Sequence, residues 1–215
     1  MADPNNYFIE EDNIIFQMIC KACNTSMKWL LIELFEKDNR KHSQIASNPS
    51  LKWKMLDTKE FSNNSLVIGF SRHPEDRLIS CWKDKVNGVR YHKGFDRRHP
   101  NMFKHKMSFD EFIKSVSKIK DGPGLECDQH FRSQTFDLDL NRLNYIIRFE
   151  HIRYDWGNCQ EIIENHCGRV YPDIPHRNSS GSFSKPQIDN KTRLLIEERY
   201  SNDYDLLNYE RRSTL

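Results

Sequence analysis

Residues 14–35 read IIFQMICKACNTSMKWLLIELF, and this stretch decides the fold. Its first part, from Ile14 to Ile19, is apolar and has the length of a strand. A polar turn from Lys21 to Ser26 follows, and apolar side chains then recur at helical spacing. The pattern predicts a strand, a short polar loop and an amphipathic helix. The buried face of that helix is expected to carry Met27, Leu30, Leu31, Leu34 and Phe35.

The polar loop has the features of an anion-binding turn. Thr25 and Ser26 are good N-cap residues, and a helix N-terminus presents backbone N–H groups and the positive end of the helix dipole. Lys21 and Lys28 add positive charge at its two ends. The Gly-Lys sequence of nucleoside triphosphate loops is absent. A strand, a turn and a capped helix with solvated lysines also form the commonest unit of any α/β domain, so the loop alone leaves both interpretations open.

A second strand, turn and helix begins at Ser65. Residues 65–71, SLVIGFS, form a short apolar run that is typical of a buried parallel strand. Pro74 suits the first turn of the helix that follows, and apolar residues recur behind it at helical spacing. The turn of this unit carries Arg72 and His73, and Arg77 and Ser80 share one face of its helix.

The remainder of the chain supplies further helices and one more strand. Residues 87–107 are basic and aromatic and indicate a long surface loop, either simply solvated or a lip that attracts an acidic acceptor. Ser108 and Glu111 form a capping box at the start of a helix. The pattern also predicts a strand over 145–149, a helix around 158–167, an irregular loop over 172–186 and a closing helix over about 189–200. We therefore expect a single α/β domain over residues 1–215, with a central parallel sheet flanked by helices.

Composition excludes several classes of protein. Lys and Arg number 33 against 31 acidic residues, a formal charge of +2, so no global field favours nucleic acid. No apolar run approaches the roughly 20 residues of a membrane span, and the N-terminus does not resemble a signal peptide. As written, the chain is expected to be soluble and cytoplasmic. Six cysteines include a CxxC pair, Cys20 and Cys23, but no second ligand pair for zinc, so we expect mostly reduced thiols.

Three stretches together resemble the Golgi carbohydrate sulfotransferases, the group of chondroitin, dermatan and HNK-1 sulfotransferases, and more distantly heparan 2-O-sulfotransferase. Residues 21–28, KACNTSMK, are similar to the loop of that family for the 5′-phosphosulfate, with Cys20 in place of the family proline. Residues 70–80, FSRHPEDRLIS, resemble its 3′-phosphate motif. Residues 128–134, DQHFRSQ, look like its Asp-Glu-His-Trp-x-x-Gln segment. The Asn178-Ser179-Ser180 segment and the Glu198 to Tyr204 segment resemble its C-terminal pattern.

The resemblance implies a P-loop-like sulfotransferase fold and 3′-phosphoadenosine 5′-phosphosulfate (PAPS) as donor, with no metal. Lys21 is expected to neutralise charge on the leaving oxygen. His42, after the first helix, is the expected general base, with Glu33, Asp57 or Glu60 as substitutes. The residues implied in donor binding are Lys21, Ala22, Cys23, Asn24, Thr25, Ser26, Met27, Lys28, Arg72, Arg77, Ser80, Asn178 and Ser179.

Each implied role has a structural alternative. Arg77 could form ion pairs on the helix surface, and Ser80 could face the core. The segment from Asn178 to Ser182 could be a plain surface loop, and His130 is predicted to be structural rather than a ligand.

The expected reaction is transfer of a sulfuryl group to an acceptor hydroxyl, first of all that of a carbohydrate. A small alcohol, a phenol or a protein tyrosine is the alternative acceptor within the same enzyme class. A nucleotide-binding module without catalysis is the alternative from another class, and the absent triphosphate loop disfavours a kinase. The acceptor and the oligomeric state stay open. If the chain is a trimmed form of an anchored protein, the Golgi lumen is its expected compartment.

Overall fold

The computed structural model describes residues 6–35, 53–56, 62–88, 94–123, 127–175 and 185–214. Over these residues the chain forms two compact units that alternate along the sequence. Residues 3–71 with 137–179 form one, which we call the sheet unit. The described residues of 72–136 and 180–215 form the other, which we call the helical unit. The prediction of a single domain over 1–215 stays a prediction.

The sheet unit contains five strands in the order β3-β1-β2-β4-β5. The strands are β1 (Asn6–Ile9), β2 (Ile14–Gln17), β3 (Trp53–Leu56), β4 (Leu66–Ser71) and β5 (Tyr145–Arg148). Strand β4 lies between β2 and β5 and is parallel to both, whereas β1 is antiparallel to its two neighbours, β2 and β3. The predicted α/β class with a parallel sheet flanked by helices is confirmed, and an antiparallel edge that was not predicted extends it.

Helices α1 (Asn24–Phe35) and α5 (Ile152–Cys167) pack on one face of this sheet. The apolar side chains that meet there include Phe16 of β2, Phe70 of β4 and Trp156 of α5. On the opposite face, a Cβ atom at Gly69 would lie 2.7 Å from Leu143 Cδ2, so glycine allows the segment before β5 to approach the sheet closely.

The helical unit consists of α2 (Pro74–Lys85), α3 (Gly94–Arg98), α4 (Phe109–Ser117), α6 (Asn190–Arg199) and α7 (Ser201–Leu206). Its core is rich in phenylalanine: the rings of Phe95 and Phe103 lie 5.0 Å apart, and that of Phe131 lies 5.3 Å from Phe95. The prediction of a surface loop over 87–107 is therefore wrong in part, because Phe95 and Phe103 are core residues. The capping box of Ser108 and Glu111 at α4 is confirmed.

Two helix starts differ from the sequence prediction. Helix α1 begins at Asn24, so Thr25 and Ser26 lie within its first turn rather than at the N-cap. Helix α5 begins at Ile152, earlier than the prediction of a helix around 158–167. Its buried face continues back to Trp156, which that prediction did not include.

Candidate active site

The turn between β2 and α1 is tight and unusual in its backbone. Lys21 has a φ of 71° and Cys23 a φ of 67°, in the left-handed region that L residues rarely occupy. Between them, buried Ala22 donates its N–H to the Ile19 carbonyl at 3.0 Å. Non-glycine residues held in this region cost about 1–3 kcal/mol each and concentrate at functional sites. The turn therefore has a strained backbone on both sides of Ala22.

Buried contacts fix the first turn of α1. Tyr7, which is fully buried in β1, donates a hydrogen bond from its hydroxyl to Asn24 Oδ1 at 2.9 Å. The ammonium of Lys28 lies 5.8 Å from the centroid of the Tyr7 ring. Burial lowers the pKa of Lys28, although the neighbouring Cys20 opposes that change. The N–H groups of a first helical turn have no partner inside the helix, so this end of α1 suits an anion.

Strands β2 and β4 bring the starts of the two sulfotransferase-like motifs to one edge of the sheet. The strands are parallel neighbours, and Gln17 near the end of β2 is paired with Gly69 of β4. The turn with Lys21 follows β2, and Arg72 is bonded directly to Ser71, the last residue of β4. In open α/β sheets, ligands bind outside the carboxyl ends of such strands.

The side-chain amide of Gln134 holds the backbone of Arg72 on both sides. The Arg72 N–H donates to Gln134 Oε1 at 2.9 Å, and Gln134 Nε2 donates to the Arg72 carbonyl at 2.8 Å. Gln134 is fully buried, whereas the Arg72 side chain is half-buried. The backbone of Arg72 is therefore fixed at the point where strand becomes helix.

His73, next to Arg72, contacts the C-terminal segment. Its Nε2 lies 3.0 Å from the carbonyl oxygen of Glu210, and the edges of Tyr204 and Tyr209 pack around its ring at 5.5 Å. Burial lowers the pKa of His73, and the positive charge of Arg212 lowers it further. A neutral, packed imidazole stabilises the turn and does not suit charge-based phosphate binding.

Arg77 of α2 is fully buried and binds protein carbonyls. Its guanidinium donates to the Arg132 carbonyl at 2.7 Å and to the Gln129 carbonyl at 2.9 Å. The proposed 3′-phosphate role for Arg77 does not fit this environment, because the side chain is used to stabilise the 128–132 turn. The sequence alternative of a surface ion pair does not fit either. Ser80, one turn further on α2, is half-buried.

A histidine and aspartate pair lies on the turn that Arg77 stabilises. The ring Nδ1 of His130 lies 2.6 Å from Asp128 Oδ1, and the guanidinium of Arg98 lies 2.8 Å from Asp128 Oδ2. Burial alone would raise the pKa of Asp128, but the hydrogen bond from His130 and the charge of Arg98 lower it to about 2. Asp128 therefore orients the imidazole of His130, and the structural role of His130 stays a prediction.

Several predicted site residues lie outside the described residues: His42, its possible substitutes Asp57 and Glu60, and Asn178 and Ser179. Glu33, the third substitute base, is exposed on α1. Among the described residues, no three His, Cys, Asp or Glu side chains come together in a way that could hold a metal ion. Within the same part of the chain, no helix is long and apolar enough to span a membrane.

Residues 5–210 match the sequence profile described as the Sulfotransferase family. The chain belongs to the sulfotransferase family. Neither the curated proteins nor the solved structures include a match. The profile match confirms the resemblance of the three motifs at the level of the family. Sulfotransfer is the general activity of this family.

The residues that sequence reasoning missed are those around Gln134. Gln134 ends the DQHFRSQ segment, and the sequence pattern predicts no role for it. Asp203 accepts the backbone N–H groups of Gln134 and Thr135 at 2.9 and 3.0 Å, although it lies 69 residues beyond Gln134 in the chain. No local pattern links two residues so far apart, and only the fold reveals the contact.

Proposed function

We propose that the protein transfers a sulfuryl group from PAPS to an acceptor hydroxyl, first of all that of a carbohydrate. The family match supports sulfotransfer in general terms. The observation that supports the more specific proposal is the pairing of β2 with β4: they are parallel neighbours, the 21–28 segment follows the end of β2, and the 70–80 segment begins at the end of β4. A donor with a 5′-phosphosulfate and a 3′-phosphate needs two such motifs, whereas a triphosphate needs one glycine-rich loop.

In this proposal the residues of each motif bind one end of the donor. The 21–28 segment would bind the 5′-phosphosulfate through Lys21, Thr25, Ser26 and the first N–H groups of α1. Arg72 and Ser80 would bind the 3′-phosphate. Asn178 and Ser179 are proposed contacts to the same nucleotide. Arg77 is left out of the phosphate site because its guanidinium is buried against the Arg132 and Gln129 carbonyls.

The reaction requires the protein mainly to position the donor and the acceptor and to neutralise the charge on the leaving group. The bond from sulfur to the 5′-phosphate oxygen breaks while the acceptor oxygen bonds to sulfur, in an in-line displacement like phosphoryl transfer. Lys21 would neutralise charge that grows on the leaving oxygen. His42 would accept the proton of the acceptor hydroxyl, with Glu33, Asp57 or Glu60 as substitutes.

Calorimetry tests donor recognition directly. The protein should bind adenosine 3′,5′-bisphosphate without added metal, and at least about tenfold more tightly than adenosine 5′-phosphate, because a charge-assisted hydrogen bond to the extra phosphate contributes roughly 1.5–3 kcal/mol. Equal affinity for both nucleotides, or no binding, would contradict the assignment.

The acceptor class requires a separate experiment. Transfer of labelled sulfate should be measured against a panel of glycans, small alcohols, phenols and tyrosine peptides. Labelling of glycans alone supports the carbohydrate proposal, and labelling of phenols or tyrosine supports the alternative acceptors. Tight nucleotide binding without transfer to any member of the panel would favour a non-catalytic nucleotide-binding module.

A further inference from the structure

Arg72 follows the last residue of β4 and is held by the side-chain amide of Gln134. The pairing of β4 with β5 ends at Ser71 and Arg148, and α2 begins only at Pro74. The peptide groups between a strand end and a helix start need other partners when they are buried. Gln134 supplies both, since its amide oxygen accepts from the Arg72 N–H and its amide nitrogen donates to the Arg72 carbonyl.

Asp203 determines which way the Gln134 amide points. Its Oδ2 accepts the Gln134 backbone N–H at 2.9 Å and lies 3.3 Å from Gln134 Nε2. A carboxylate accepts hydrogen bonds and does not donate them, so the NH₂ end of the amide must face Asp203. The oxygen end then faces the Arg72 N–H, as the hydrogen bond requires.

Asp203 is itself fixed and fully buried. Its other oxygen, Oδ1, accepts the Thr135 N–H at 3.0 Å and the Thr135 hydroxyl at 3.1 Å. The start of α7 and the turn at Gln134 are therefore joined by four hydrogen bonds to one carboxyl group. Such a network is rigid, because each group has a single arrangement that satisfies its partners.

We propose that Gln134, oriented by Asp203, is a positioning residue that fixes Arg72 for recognition of the 3′-phosphate. The inference rests on the proposed function. Gln134 acts on the backbone of Arg72, so it determines where the side chain of Arg72 begins and in which direction it extends. In metal sites, loss of a residue that holds a ligand-binding residue typically lowers metal affinity by about 10- to 100-fold. We expect the lower end of that range for the affinity of this protein for the 3′-phosphate.

The first test is the substitution Gln134→Met, which keeps the length of the side chain and removes both hydrogen bonds to Arg72. Calorimetry should show affinity for adenosine 3′,5′-bisphosphate reduced roughly tenfold. Affinity for adenosine 5′-phosphate, which lacks the 3′-phosphate, should stay within about twofold, because only the recognition of that phosphate depends on Arg72. A merely structural role would weaken both nucleotides equally, and that result would overturn the proposal.

Thr135→Val is the matched control. It removes one donor to the same Asp203 carboxyl group but leaves every contact between Gln134 and Arg72 in place. The affinity ratio of the two nucleotides should match that of the unaltered protein. A ratio reduced as strongly as in Gln134→Met would show that general loosening of the network, and not the position of Arg72, sets the ratio.

Hydrogen exchange tests the contact without any variant. In the unaltered protein the Arg72 amide should exchange slowly, because Gln134 Oε1 accepts its proton. Rapid exchange at Arg72 would overturn the proposal even if Gln134→Met did not fold. The outcomes also separate the two proposals: if the unaltered protein does not distinguish the two nucleotides, the proposed function fails, whereas discrimination that survives Gln134→Met refutes only the role of Gln134.

Discussion

Two arginines of one motif have opposite surroundings in the structure. Arg72 is half-buried and its backbone is held by Gln134, whereas the guanidinium of Arg77 is fully buried against two carbonyl oxygens. The sequence placed both in the phosphate site because an alignment of residue types does not indicate burial. A buried charged side chain is retained when its donors are matched by acceptors, and the carbonyls of Gln129 and Arg132 provide that match.

The two arginines should therefore respond differently to substitution. Arg77→Met should lower the free energy of unfolding by about 3 kcal/mol or more, because it leaves buried carbonyls without donors. Arg72→Ala should reduce affinity for adenosine 3′,5′-bisphosphate at least about tenfold and change stability by less than about 1 kcal/mol. Chemical denaturation and calorimetry on both variants measure these effects. The reverse result, with stability lost at Arg72 and affinity lost at Arg77, would contradict the assignment.

Lys21 is predicted to affect turnover more than donor binding. If its ammonium neutralises the leaving oxygen, Lys21→Ala should lower the turnover number by roughly 10²- to 10³-fold, the range for one lost oxyanion donor, with a smaller change in nucleotide affinity. Steady-state transfer of labelled sulfate at saturating donor measures the first quantity and calorimetry the second.

The effect of Lys21→Ala on stability requires a control at a similar backbone position. Lys106 is exposed and has a φ of 63°, so Lys106→Ala reports the cost of losing a lysine side chain at a left-handed position that has no proposed role. If Lys21→Ala loses stability like Lys106→Ala but keeps normal turnover, Lys21 is only a turn residue.

His42 lies outside the described residues, and its role as general base stays a prediction. A general base contributes typically 10²- to 10⁴-fold, so His42→Ala and His42→Asn should both reduce turnover by about that factor. Nucleotide affinity should not change, because the residue would contact the acceptor. Wild-type rates in both variants would show that His42 is not the general base, and Glu33, Asp57 and Glu60 would be the candidates to test next.

At the scale of elements, the sequence predicted the strands and helix starts whose signals lie in neighbouring residues. The strand of β4, the Pro74 start of α2 and the Ser108 capping box each depend on neighbouring residues, and each is found as predicted. Strands β1 and β3 were missed, because each has only four residues and the antiparallel pairing of β1 with β3 joins segments that are far apart in the chain. The burial of Phe95 likewise depends on Phe103 and Phe131, which no periodicity connects.

The C-terminal segment is tied to the first turn of α2 through Arg212. Its guanidinium lies 2.9 Å from Glu75 Oε1 and 2.8 Å from Asp76 Oδ2. Arg212→Ala should lower the free energy of unfolding by about 1–2 kcal/mol, a value reduced for the partial exposure of the arginine. Arg211→Ala is the matched control. Arg211 pairs with the exposed Asp205, so its loss should cost about 0.5 kcal/mol, and equal costs for both variants would show that the Arg212 contacts contribute nothing specific.

At the scale of the whole molecule, the carboxylates of Asp128 and Asp76 should lower the stability of the fold in acid. The pKa of Asp128 is lowered from 3.8 to about 2, with burial opposing the effects of His130 and Arg98. The pKa of Asp76 is lowered to about 2 as well, where burial opposes the hydrogen bonds and charges of Arg212 and Lys185. Because both pKa values are lower in the folded state, each group stabilises the fold above a pH of about 3.8 and loses that contribution as the pH falls towards 2.

Asp128→Asn tests this dependence on pH. A pKa change from 3.8 to about 2 corresponds to roughly 2 kcal/mol, so the variant should lose about that much of the free energy of unfolding at pH 7. The difference from the unaltered protein should shrink between pH 4 and pH 2, because the native carboxylate is protonated there. Denaturant titrations across this range measure the difference in the free energy of unfolding.

Asp205→Asn, at an exposed ion pair, is the control and should change the free energy of unfolding by no more than about 0.5 kcal/mol at every pH. A stability difference for Asp128→Asn that stays constant down to pH 2 would show that the loss comes from packing and not from the charge of Asp128.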